Sequence, residues 1–324
     1  MAFCLSLGLK AQAQAPLLAL PIDCEPGITC WIPNHVDMNP GSGVKDYACG
    51  PNTYNGHKGT DFAITNLKIM RQGVDVLAAA RGIVKSVRDE MPDVNFRWLD
   101  RKRLKGKECG NGVVISHEKG WESQYCHLRE GSISVQKGQR VTPGDKLGLV
   151  GLSGLTEFPH LHLSLRYNGE VIDPFNRSGE KCGTTVISLW RPEVRPKLLY
   201  QRSAIYNIGF SSKRPTRHKT RLGLYDTKII TGPVEILFVV MEIFGAEPND
   251  NIFVRISNGE GNTITKRRIP LEIATRKARI FRWIGFRQKD RLWRPGTFKA
   301  DIEVLRKGSS GTSSFSGSQA ITIN

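Results

Sequence analysis

Between Ala48 and Pro174 glycine recurs at strand-length intervals, and this punctuation limits what the region can fold into. Glycines stand at 82, 112, 131, 138, 144, 148, 151, 154 and 169. Short runs of β-branched or alternating apolar residues lie between them: 74–80, 82–87, 112–117, 123–128, 138–142, 146–151 and 160–167. Runs this short, bounded by turn residues, predict strands rather than helices. The charged stretch Asp89–Glu108 (DEMPDVNFRWLDRKRLKGKE) interrupts the pattern and reads as an exposed loop.

The remainder of the chain is different in charge. Through residue 180 there are 21 Lys and Arg against 19 Asp and Glu; beyond it there are 26 against 11. The whole chain carries a net charge of +17, and nearly all of the excess lies in the second part. A basic half suits an anionic partner, whether nucleic acid, anionic lipid or a wall polymer. Strand-like runs at 234–244, 251–257, 263–270, 278–283 and 296–305 predict a small β-sandwich, and the Ser/Gly-rich tail 308–319 reads as flexible. The expected organisation is therefore an export signal over 1–20, a first domain over 21–180, a basic linker over 181–220 and a basic β-sandwich over 221–324.

The N-terminus contains the small-x-small triplet Ala11-Gln12-Ala13, although no basic residue precedes its apolar stretch. Of seven cysteines, Cys4 would leave with a signal. Cys24, Cys30, Cys49, Cys109, Cys126 and Cys182 would remain, an even number that fits disulfides in an oxidising compartment. No CxxC pair is present, which argues against a structural zinc site. No apolar run reaches transmembrane length, and neither a P-loop nor a GxGxxG fingerprint occurs.

The chemistry sits on histidine. Five of the seven histidines, His57, His117, His127, His160 and His162, fall within one window. His160 and His162 are two apart in the strand-like run PHLHLSLR. They should therefore share one face, with Leu161, Leu163 and Leu165 on the core face. His57 and Asp61 are four apart in GHKGTDF, where Gly56 and Gly59 disfavour a helix. A catalytic zinc takes three protein ligands and keeps one position open. His57, Asp61 and one histidine of the HLH pair would make such a set.

The stretches GHKGTDF, VLAAARGIVKSV, GNGVVISHEKGWESQYCHL and VQKGQRVTPGDKLGLVGLSGLTEFPHLHLSLR together resemble the lysostaphin/LytM-type zinc metallopeptidases, peptidase family M23. The resemblance covers about residues 55–175. It implies a mostly β, LytM-like antiparallel sheet or barrel-type peptidase domain, one zinc per chain, and His57, Asp61 and His162 as its ligands. It also implies catalytic roles for His160 and for His127 of YCHL. His117, His35 and His218 are expected to lie outside the reaction. Cys126, on a strand beside His127, is expected to face away from the site and to pair with Cys109, anchoring that strand.

The function so implied is an exported zinc endopeptidase, periplasmic or secreted, that hydrolyses peptide cross-links of bacterial peptidoglycan and works as a monomer. The bond would join D-Ala to a diamino acid or lie in a glycine-containing bridge. A second reading is a catalytically silent factor on the same fold that binds the wall or activates another hydrolase; the complete ligand set argues against it. A third is nucleic-acid binding through KRPTRHKTR and the Arg-rich stretch 276–294, where Phe281, Trp283, Phe286 and Trp293 are interleaved. Those aromatics suit a sandwich core better, and no nucleic-acid partner is expected.

Overall fold

The computed structural model describes residues 15–178, 186–288, 292–308 and 311–324. Cys4, the Ala11–Ala13 triplet and Cys182 lie outside them.

The first part of the chain builds one antiparallel sheet whose strands are not in sequence order. Cys30–Asn34 is the edge strand. It is followed across the sheet by Thr60–Ile64, His160–Tyr167, Trp121–Leu128, Asn111–Ser116, Gly82–Arg88 and the short Arg140–Val141. The strand that carries Asp61 and the strand that carries His160 and His162 are thereby neighbours, with Asp61 opposite His162 and Ala63 opposite His160. Strand alternation then does what the sequence predicts. Leu161, Leu163 and Leu165 are buried in the core with Phe62, Val113, Ile115 and Tyr125. Burying each such leucine contributes about 2 kcal/mol, so a one-residue slip of this strand would cost three leucines their core and expose them.

Two elements differ from the sequence reading here. Residues 15–20, expected to belong to a signal, are part of the fold: Leu18 is fully buried and its amide donates to the Leu189 carbonyl. The insert 89–108 is not merely an exposed loop. It contains the turns Phe96–Trp98 and Arg101–Leu104, capped by the side chains of Asn95 and Asp100, and Leu104 is buried.

The second part forms a sandwich. One sheet holds Ala204–Ser211, Leu237–Ala246 and Lys277–Phe286. The other holds Ile229–Ile230, Gly311–Ile323, Gly296–Gly308, Asn251–Asn258 and Thr263–Pro270. Val239, Met241 and Ile243 of one sheet share a core with Val254, Ile256, Ile302 and Val304 of the other. Phe286 and Trp293 belong to this core, while Phe281 and Trp283 are only partly buried.

The sandwich claims two stretches read otherwise. Ala204–Ser211 lies in the expected linker, yet it pairs along Leu237–Ala246, puts Phe210 into the sandwich core and packs Tyr206 against Trp31 of the first part. The Ser/Gly-rich tail is a strand from Gly311 to Ile323, paired along its length with Gly296–Gly308. Its weak local propensity is overridden because the preceding strand supplies a complete hydrogen-bonding partner while Ile321 and Ile323 enter the core.

Candidate metal centre and active site

Three ligand-type atoms converge at the junction of Thr60–Ile64 and His160–Tyr167. His162 Nδ1 lies 2.8 Å from Asp61 Oδ1, and His57 Nε2 lies 3.1 Å from each of them. His57 and Asp61 are buried, and the His162 side chain is 16% exposed. His57 reaches this point from a turn, where its Nδ1–H donates to the His35 carbonyl at 2.7 Å. That bond assigns the proton to Nδ1 and leaves an Nε2 lone pair facing the cluster. Asn34 Nδ2 donates to the other carboxylate oxygen of Asp61 at 2.8 Å. The donor set of two imidazoles and one oriented carboxylate fits a divalent ion of the zinc type.

Gly59 allows the approach. A Cβ there would stand 2.5 Å from His162 Nε2 and 2.6 Å from the Leu163 carbonyl oxygen.

Two further imidazoles complete the site. His160 Nε2 is 3.4 Å from Asp61 Oδ1, while its Nδ1–H donates to the Phe158 carbonyl at 2.9 Å with the Thr156 hydroxyl at 3.1 Å. His127 Nδ1–H donates to the Ser153 carbonyl at 2.8 Å. Both rings therefore turn Nε2 toward the cleft, with their centroids 4.7 Å apart. His127, His160 and His162 also lie close enough to form a second three-donor group. The carboxylate distinguishes the set with His57 and Asp61, because it offsets charge on a cation.

The electrostatics follow from crowding. Burial alone would raise the Asp61 carboxyl, but the adjacent His57, His160 and His162 imidazoles hold it well below the usual range. Burial opposes the His57 cation, yet Asp61 outweighs it and raises that imidazole. Burial, reinforced by His160 and His162, keeps His127 well below the ordinary histidine value. Burial likewise lowers His162.

Cys126 pairs with Cys109 as expected, and Cys24 pairs with Cys30. Its orientation is a correction. Cys126 lies opposite His162 in the sheet, and Cys126 and His127 border the same groove. Strict alternation fails because His127 adopts φ 64° at an irregularity in the pairing of Asn111–Ser116 with Trp121–Leu128. That left-handed residue swings the imidazole to the face its predecessor already occupies. His117 is held apart by the Arg81 carbonyl and the Ser123 hydroxyl.

Sequence reasoning missed Asn34, the His35 carbonyl, Thr156 and Phe158. Only position hinted at them: Asn34 and His35 lie on the segment leading to His57, and Thr156 and Phe158 directly precede the HLH pair.

Comparison with known proteins finds similarity over the segment that carries these residues. Residues 55–174 match the sequence profile of Peptidase family M23. Peptidoglycan DD-endopeptidase ShyA of Vibrio cholerae is 32% identical over 117 residues, which is 36% of this chain and 22% of that protein. Cell division protein DipM of Caulobacter vibrioides is 33% identical over 119 residues, 36% of this chain and 17% of that protein. DD-carboxypeptidase/endopeptidase Mpg of Neisseria meningitidis is 32% identical over 124 residues, 38% of this chain and 23% of that protein. The chain thus spans about a fifth of the length of these curated relatives. Among solved structures, a mutant catalytic domain of the prophage-encoded M23 protein EnpA from Enterococcus faecalis is 21% identical, with a TM-score of 0.33, over 51% of this chain and 97% of that one. Residues 55–174, which hold His57, Asp61, His127, His160 and His162, are thus the part of the chain that is similar to peptidase family M23.

Proposed function

We propose that this chain is an exported zinc endopeptidase that cleaves peptide cross-links of bacterial peptidoglycan. The observation that carries the reading is the convergence of His57 Nε2, Asp61 Oδ1 and His162 Nδ1 within 3.1 Å, beside two imidazoles oriented through their Nδ1 atoms. His57, Asp61 and His162 would hold the ion. Zinc held there supplies Lewis acidity and a water acidified toward neutrality.

The chain's own groups then have defined tasks. Asp61 offsets part of the metal charge and is kept in place by Asn34. His127 and His160 present Nε2 atoms to the cleft and share proton transfer with stabilisation of the developing oxyanion. Their Nδ1–H bonds to the Ser153 and Phe158 carbonyls prevent ring rotation, so these hydrogen bonds need not reorganise as the reaction proceeds. The substrate class is supported by the similarity to peptidoglycan endopeptidases, and the basic second half suits an anionic wall. Export is supported by the Cys24–Cys30 and Cys109–Cys126 disulfides; among the described residues no helix is long and apolar enough to cross a membrane.

The test is metal content by elemental analysis together with digestion of purified peptidoglycan. About one zinc per chain and new peptide termini are expected for the native chain, and loss of both for His162→Ala. His160→Ala should keep the metal and lose turnover. A native chain that binds zinc but releases no peptide termini refutes the enzymatic reading.

A further inference from the structure

The second half of the chain forms one wall of the cleft over this site. A cavity of about 730 Å³ has Asp61, His127 and His160 in its lining, together with Arg217, Arg221 and Arg279 from beyond residue 200. The two halves meet through a stack of side chains. The Arg279 guanidinium lies 4.5 Å from the centre of the Phe158 ring, and Phe158 stacks on His160 at 4.6 Å. Arg279 also donates to the Tyr206 hydroxyl at 2.8 Å and lies 3.9 Å from Glu242. The loop that orients His160 therefore rests on a residue of the sandwich.

Charge across this cavity is unbalanced. Seven basic side chains line it against four acidic ones, and the acidic ones are engaged. Asp61 belongs to the histidine cluster, Glu157 is paired with Arg97 and Glu242 faces Arg279. Glu108 accepts from the Gly106 amide. Arg217 and Arg221 are one helical turn apart on the short helix Arg217–Arg221, a spacing at which like charges repel. Among the described residues neither has a carboxylate within ion-pair distance. Burial, with repulsion from Arg279 and Arg217, lowers the pKa of Arg221. Glu157 and Glu242 of the same lining attract Arg221 only from beyond ion-pair distance, so two guanidinium groups that line the cavity keep donors free for a carboxylate.

We propose that Arg217 and Arg221 bind a free carboxylate of the peptide substrate, so that the second half of the chain forms the selecting wall of the cleft. The substrate class is then a peptide carrying unamidated carboxylates. This rests on the peptidase reading and adds specificity to it. Arg279 is a positioning residue that holds Phe158, and through it His160, against this wall.

The experiment compares the wild type with Arg217→Gln, Arg221→Gln and the exposed charge reversal Arg217→Glu. The probes are a synthetic stem peptide with free carboxylates and the same peptide amidated. Binding to the metal-depleted full chain is measured by calorimetry, and cleavage of cross-linked dimers is measured on the zinc-loaded chain. Each Gln variant should weaken binding of the free-carboxylate peptide, and raise its KM, by about tenfold, with a smaller effect on kcat. The reversal should cost more, and the differences should shrink to near nothing with the amidated peptide. Folding of each variant is checked by its melting temperature, and the exposed Arg217 pair keeps the test valid if Arg221→Gln is unstable. Equal affinity of wild type and variants for the free-carboxylate peptide overturns the proposal, as does equal loss with both peptides. Arginine-dependent binding without any cleavage would leave the proposal standing and refute the peptidase reading instead.

Discussion

Gly59→Ala isolates the candidate metal centre from the rest of the fold. The new Cβ would lie 2.5 Å from His162 Nε2 and 2.6 Å from the Leu163 carbonyl oxygen, whereas an ordinary contact needs about 3.4 Å or more. The carbonyl belongs to the central strand His160–Tyr167 and cannot yield alone, so the ring of His162 or the whole turn carrying His57 must move by about 1 Å. A misplacement of that size costs about 100-fold in rate, and overpacking costs about 1–3 kcal/mol in stability. Gly56, three residues earlier, is the control. It has φ 77° and nothing within 4 Å of its would-be Cβ, so Gly56→Ala should cost about 1–2 kcal/mol through backbone strain alone. The assay is zinc affinity by competition with a chromogenic chelator, together with kcat/KM on cross-linked peptide and urea unfolding of both variants. Gly59→Ala should lose metal affinity and turnover out of proportion to its stability, and Gly56→Ala the reverse. Native zinc affinity in folded Gly59→Ala would refute the argument that this glycine exists to admit His162.

Replacing both Cys109 and Cys126 by Ala opens a loop with a sequence separation of 17 and should lower stability by about 3 kcal/mol in urea; turnover should fall as well, because the Cys109 carbonyl also accepts from the His127 amide, and full activity in that variant would contradict an anchoring role. Burial raises the Asp173 carboxyl from 3.8 to about 7, so its stabilising contribution is complete below pH 4 and is lost as the pH rises to about 7. The stability difference between Asp173→Asn and the wild type should accordingly grow by about 4 kcal/mol across that window, and a difference that does not change with pH would refute the reasoning. Thr156→Val removes one of two oxygens facing His160 Nδ1; kcat should fall by about threefold to tenfold with metal content unchanged, and loss of metal would show that the threonine serves the ligand set instead.

Much of this was readable from the chain because it depends on local periodicity. The HLH run alternates, so the side on which His160 and His162 stand follows from the burial of Leu161, Leu163 and Leu165. Glycine spacing and apolar runs likewise forecast the short strands of the first part and most strands of the sandwich. The tail from Gly311 to Ile323 was illegible because its own residues favour a coil, and only a complete partner strand makes it extended.

Sequence alone determined the residue types of the centre, their order and the face of the HLH strand. It could not show that Thr60–Ile64 and His160–Tyr167 are neighbours, a pairing across about 100 residues that arises from sheet closure. The left-handed turn at His127, which sets that imidazole beside Cys126 instead of behind it, belongs to an irregularity between two strands and has no local signature. The wall of Arg217, Arg221 and Arg279 exists only because the sandwich packs over the cleft. Chain order leaves these cations distant from His160, and long-range burial brings them to it.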